Sequence, residues 1–164
     1  MKILRSNNRG LTLIELVITM AILAILASLI LPSARMTAKR LKEIELRRDL
    51  RTIRTALDEY KKDYDRLVTV KSVNESGYPK TLQELVDGKD FGGADKIKKK
   101  YLRRIPDDPF NPPKPGEERK EEERWGLRSY ADKPDSTIWG GEDVYDVHSL
   151  SEDTAIDGTK YKDW

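Results

Sequence analysis

The pattern of apolar and polar positions changes twice along the chain. Leu11 to Leu31 reads L-T-L-I-E-L-V-I-T-M-A-I-L-A-I-L-A-S-L-I-L, 21 residues with thirteen Leu, Ile or Val and one ionisable side chain, Glu15. A helix needs ~20 such residues to cross a hydrocarbon core of ~30 Å at about 1.5 Å per residue. At roughly −0.3 to −0.6 kcal/mol each on an insertion scale, the aliphatic residues offer about −4 to −8 kcal/mol, against a few kcal/mol for one ionised side chain. The run is therefore expected to insert despite Glu15. After Pro32 the period becomes helical and one-sided: Leu46, Leu50, Ile53, Leu57, Tyr60, Tyr64 and Leu67 recur at spacings of three and four among charged residues. That spacing predicts an amphipathic helix with one buried stripe. Only Pro32 interrupts residues 11 to 67, so a single helical rod on the order of 85 Å is expected. Pro32 removes one backbone donor and crowds the preceding turn, which predicts a kink or local unwinding there.

Beyond Leu67 the periods are short. The segment from Val68 to Pro79 reads as a loop, and T-L-Q-E-L-V-D-G as a short helix stopped by Gly88, with Thr81 and Glu84 spaced for a capping box. Prolines from Pro106 to Pro115 forbid helix or central strand and predict a stiff, extended loop. Glu117 to Arg124 reads as a solvated loop or helical turn. Two strand candidates follow, Trp125 to Ala131 and Asp143 to Ser149; in the second, Val144 and Asp146 are expected on one face, Tyr145 and Val147 on the other. The fold class is thus α+β: a long N-terminal helix packed on a small head with a short antiparallel sheet.

Composition narrows the function. Thirty-one Lys and Arg against 29 Asp and Glu leave a net charge of +2, interleaved along the chain, so no large field directs it to nucleic acid. Mean hydropathy is −0.70 although the chain contains an apolar run, so the head is strongly polar and its core thin. There is no cysteine, which excludes disulfides, thiolate zinc sites and a cysteine nucleophile. Nor is there a nucleophile with a base, a phosphate loop or a nucleotide fingerprint, and an enzyme is not expected. Lys2, Arg5 and Arg9 precede the apolar run and Arg35, Lys39, Arg40 and Lys42 follow it, so charge alone does not orient the helix in a membrane.

The N-terminal residues carry a family resemblance. A basic leader ending in Arg9-Gly10, an apolar helix with Glu15 five residues past that glycine, and Pro32 at the end of the run resemble a type IV prepilin or type II secretion pseudopilin. G-Y-P-K-T-L-Q-E-L-V, Y-L-R-R-I-P-D-D-P-F-N-P and an aromatic strand pair are similar to the major pseudopilin of type II secretion systems. The resemblance divides the chain into a cleaved class III leader (1–10), a transmembrane and filament-core helix (11–31), the amphipathic half of that helix (32–67), and a head with a loop-rich C-terminal segment (68–164). It implies cleavage after Gly10 by a prepilin peptidase and N-methylation of Leu11. It also implies that Leu11, Glu15 and Pro32 serve filament assembly, Glu15 pairing with the amino terminus of a neighbouring subunit. An ordinary signal peptide, cut at Ala27-Ser28 or Ser33-Ala34, stays open as a rival.

Further expectations follow from the same resemblance. The protein would be a single-pass protein of the bacterial inner membrane with its head in the periplasm, forming a periplasmic or extracellular filament that drives protein export. Its partners would be itself, minor pseudopilins, the inner-membrane assembly platform and secreted cargo. The alternatives are a type IV pilus major pilin for adhesion or motility and an unpolymerised membrane-anchored binding protein. The type II major pseudopilins hold their C-terminal region with calcium, and Asp146, Ser149, Ser151, Asp153, Asp157 and Asp163 supply oxygens of the type calcium takes. No EF-hand spacing is present, and Asp157-Gly158 also reads as a turn. His148 is expected to be a strand residue, and Trp125, Trp139, Tyr130 and Tyr145 to fill the head's core rather than cage a ligand.

Overall fold

The computed structural model describes residues 10–70, 72, 75–92, 98–117 and 119–164. The basic leader, Lys2, Arg5 and Arg9 included, lies outside them. The chain divides after Lys39 into two units, Met1–Lys39 and Arg40–Trp164.

Helix α1 (Leu13–Leu67) supplies most of the first unit and the backbone of the second. Its helical assignment continues through Pro32, so the expected unwinding is absent. A proline removes only its own donor, and the bonds of the flanking turns hold the helix together. An 18-residue window of α1 has mean hydropathy 2.7, long and apolar enough to cross a membrane.

In the second unit the predicted stripe is the core. Leu46, Leu50, Ile53, Leu57, Tyr60 and Tyr64 are buried on α1, while Leu67, last in the series, is 39% exposed because the head no longer covers the helix end. Against the stripe pack Leu82 and Leu85, Leu102 and Ile105, Trp125 and Leu127, Val144 and Val147, and Ala155 and Tyr161. Helix α2 (Gln83–Asp87) carries Leu85 and stops at Gly88, whose φ of 83° is open to glycine and strained for other residues. The expected capping box at its start does not form: Thr81 makes no side-chain cap, and the Glu84 carboxylate instead accepts the Tyr60 hydroxyl at 2.9 Å and lies 3.4 Å from Lys89. Tertiary partners have taken the acceptor that a cap would use.

The charged tract ends in a single helical turn, α3 (Glu121–Arg124). Strands β1 (Gly126–Arg128) and β2 (Asp146–His148) pair antiparallel, with Gly126 opposite His148, Leu127 opposite Val147 and Arg128 opposite Asp146. Because β2 begins only at Asp146, the predicted alternation fails ahead of it. Val144 and Val147 are both buried, whereas Tyr145 is 45% exposed. The aromatic expectation splits likewise: Trp125 is fully buried and Trp139 half-buried, but Tyr130 is 63% exposed and joins Tyr145 and Tyr78 in a surface cluster.

The proline-rich loop is tied down by buried polar groups. Trp125 Nε1 donates to the Pro106 carbonyl at 2.9 Å. Asp108, 1% exposed, accepts the Ser149 hydroxyl at 2.6 Å and the Phe110 amide at 2.8 Å, joining the loop to the end of β2. Each buried polar atom here has its partner, which is what lets polar groups enter a thin core.

Candidate assembly and anchoring site

The first unit presents a helix that is apolar on every side. Leu11, Leu13, Ile14, Leu16, Val17, Ile18, Met20, Ile22, Leu23, Ile25 and Leu26 are between 49% and 82% exposed. No other described residue of the first unit covers them. At roughly 1.5–3 kcal/mol for each large apolar side chain taken out of water, eleven such residues represent about 15–30 kcal/mol available to lipid or to neighbouring helices. That is larger than the net stability of an ordinary domain, so the helix will not remain bare in water.

Glu15 sits in the first turn of this helix. Thr12 immediately precedes the helix, and its hydroxyl oxygen accepts the Glu15 amide at 3.3 Å. T-L-I-E therefore has capping-box spacing and forms its first half, the signal that fails at Thr81. The Glu15 carboxylate takes no hydrogen bond or ion pair among the described residues. A negative charge in the first turn is favoured by the helix dipole, but by only about 0.3–1 kcal/mol. The carboxylate is thus left available at the end of α1 where Gly10 and Leu11 lie.

In the second unit a row of polar residues beside the buried stripe of α1 holds the C-terminal segment. Glu43, 9% exposed, accepts the Tyr161 hydroxyl at 2.9 Å and the Ile156 amide at 2.8 Å. Burial and that carboxylate push the Tyr161 phenol pKa upward, so the bond keeps its proton. Arg54 donates to Asp146 at 2.7 Å and to the main-chain oxygens of Val147 and Trp164, each at 2.9 Å. Higher on the helix Asp63, 5% exposed, accepts Lys99 Nζ at 2.6 Å, Arg66 at 2.8 Å and the Tyr101 hydroxyl at 3.0 Å. The Lys99 bond is the chief cause of an Asp63 pKa below the usual carboxylate range.

The six calcium candidates do not gather into a donor set. Asp146 lies between Arg54 and Arg128. Ser149 is buried on Asp108, and the Ser151 amide donates back to Ser149. Asp157 closes a turn on the Thr159 amide and hydroxyl and faces Arg47 at 3.3 Å. Asp153 and Asp163 are exposed, and their main-chain groups are bound within the segment. Among the described residues no three His, Cys, Asp or Glu side chains come together as a metal site. His148 is a strand residue as expected, 4% exposed, and its Nδ1 has no partner among the described residues. Burial and the nearby Arg128 lower its pKa.

A family model of the prokaryotic N-terminal methylation motif matches residues 5–31, the stretch that contains Gly10, Leu11 and Glu15. The type II secretion system core protein G of Klebsiella michiganensis is 31% identical over 112 residues, 65% of this chain and 70% of that protein. The chain is a type II secretion pseudopilin of the type IV pilin-like family. No solved structure matches it. The family is structural rather than enzymatic, and the pseudopilin has the architecture its sequence implies, an N-terminal apolar helix joined to a small head with a short antiparallel sheet. What sequence reasoning missed are Glu43, Arg54 and Asp63, the polar residues by which α1 holds the rest of the head. Each borders the apolar stripe, and that position was their only local signal.

Proposed function

We propose that this pseudopilin is the major subunit of a type II secretion pseudopilus. It is stored in the bacterial inner membrane through residues 11–31 with its head in the periplasm, cleaved after Gly10 and N-methylated on Leu11. It then polymerises with itself on an inner-membrane platform with minor pseudopilins and drives export of folded cargo. The observation that carries this reading is a helix exposed and apolar all round with one carboxylate near its start that has no partner among the described residues. Lipid satisfies the apolar surface but gives Glu15 nothing, whereas a neighbouring copy offers both an apolar helix and the Leu11 amine. In low dielectric an unpaired charge costs several kcal/mol, so pairing Glu15 with that amine sets one axial stagger and rejects registers shifted by a turn, about 5.4 Å. Pro32 lies where the membrane run ends and the head-bearing part of α1 begins.

Two measurements test the proposal. Mass spectrometry of the protein purified from membranes is expected to find an N-methylated Leu11 as first residue; a retained Met1, or cleavage beyond Ser28, refutes it. Glu15→Ala is expected to remain membrane-inserted and to lose filaments under the electron microscope. Filaments at wild-type abundance from that variant would remove the register role.

A further inference from the structure

Residues on α1 hold the C-terminal segment with the chemistry of an ion site, but the ion is a side chain. Glu43, Arg47, Leu50 and Arg54 follow one another at four, three and four residues, so they share one face of the helix. Arg54 reaches from that face into a set of oxygens: Asp146 Oδ1 at 2.7 Å and Oδ2 at 3.4 Å, and the main-chain oxygens of Val147 and Trp164 at 2.9 Å. A carboxylate with main-chain oxygens is the donor type that calcium selects. A guanidinium is permanently charged and presents its donors as a rigid fork, so it serves the same acceptors without a metal. Arg128 approaches Asp146 from β1 at 3.4 Å. With two guanidinium groups already on the Asp146 carboxylate, a divalent cation placed there would have to displace them.

Two further carboxylates of this segment, Glu152 and Asp157, are also bound by side chains of the chain itself. Lys162 Nζ lies 3.1 and 3.2 Å from the two Glu152 oxygens, and Lys160 stands 3.8 Å away. Asp157 is bound by Thr159 and Arg47, and the Arg47 guanidinium also stacks 4.1 Å over the Trp164 ring. Tyr161 fills the remaining space, stacked on Phe110 at 3.9 Å and against Trp164 at 5.1 Å.

We infer that the segment from Ser149 to Trp164 is fastened to α1 without calcium, the guanidinium of Arg54 occupying the role that a divalent cation would otherwise fill. The fastening belongs to the single subunit and does not depend on polymerisation, so it is tested on full-length protein dispersed in detergent.

Thermal unfolding of the wild type is expected to have the same midpoint in millimolar calcium chloride as in chelator, because an ion bound only by the native state must raise it. Hydrogen exchange at the amides of Ala155, Tyr161 and Trp164, which bond to Thr159, Asp153 and Tyr161, should be equally insensitive to calcium. Arg54→Met should accelerate exchange at those amides about tenfold or more, and Arg54→Lys, which keeps the charge but loses the fork, by a smaller factor. A calcium-dependent rise in the wild-type midpoint overturns the inference, and so does an Arg54→Met protein whose segment exchanges at the wild-type rate. Should Arg54→Met not fold, the wild-type calcium comparison and Arg54→Lys still decide it.

Discussion

Gly126→Ala probes the strand pair at the point where it has least room. Gly126 faces His148 across the sheet, and a β-carbon built on it would meet the imidazole at Nε2 and Cε1 and lie 2.7 Å from Cδ2. Ordinary carbon contacts are about 3.5–4.0 Å, so the ring must move by roughly 1 Å. It has little room to move, being only 4% exposed. Overpacking of this kind costs about 1–3 kcal/mol. The backbone is no obstacle, because Gly126 is not in the left-handed region, and alanine recovers roughly 0.4–1 kcal/mol by restricting the unfolded chain. The net expectation is about 1–2 kcal/mol, which for a head of this size lowers the thermal midpoint by roughly 3–10 °C.

The assay is thermal unfolding of the full-length protein in detergent, followed by the fluorescence of buried Trp125. Repeating Gly126→Ala in a His148→Ala background isolates the contact. With the ring removed, the added methyl should cost little or become favourable, giving a coupling of about 1–2 kcal/mol between the two positions. An equal cost in both backgrounds, or a Gly126→Ala midpoint within experimental error of wild type, would refute the idea that glycine is there to admit the ring.

Two further perturbations bear on the charges of the head. Asp63→Asn removes the anion that Lys99, Arg66 and Tyr101 share, and since both cations are more than half exposed the expected loss is modest, about 1–2 kcal/mol by urea titration. With its pKa held down in the folded state, Asp63 stabilises above the usual carboxylate range, so this variant should lose the acid-induced part of the wild-type stability profile below about pH 4. For His148 the folded state holds the neutral ring, so the unfolded chain binds the extra proton. Stability should then fall as pH drops below about 6.5 towards the lowered native pKa, and His148→Gln should flatten that limb; an unchanged slope between pH 7 and pH 5 would contradict the assignment.

How much of this was legible depended on whether a residue's partner was near in sequence. The α1 stripe could be read from spacing because one helix face and one core decide it, and six of its seven members are buried. The strands were found but their lengths were not. β2 begins at Asp146, where pairing to Arg128 begins, and no local propensity distinguishes Tyr145 from it. The cap at Thr81 and the unremarked one at Thr12 have the same T-x-x-E spacing; what separates them is Tyr60, 24 residues from Glu84, which claims its carboxylate. The anchoring residues were the least legible. Arg54 lies 92 residues from Asp146 and Glu43 lies 118 from Tyr161, and nothing around either indicates which of many charges the fold will bring to it. The calcium expectation came from resemblance, and of its six candidates Asp146 and Asp157 pair with the chain's own arginines while Ser149 is held by Asp108.

Helix α1 therefore needs different things from its surroundings along its length. Before residue 29 its large apolar side chains are exposed on all sides, so among the described residues they join no core and their stabilisation is expected from lipid or from other helices. After Arg40 one stripe is consumed by the head, and the residues flanking it, Glu43, Arg54 and Asp63, fix the head's own segments. Assembly and folding thus draw on separate residues of one helix. The Glu15→Ala variant should then lose filaments while its head melts at the wild-type temperature, because the head's core is built from Leu46 onward. A lowered midpoint in that variant would mean that the first turn of α1 supports the head, and loss of filaments would no longer report on subunit register.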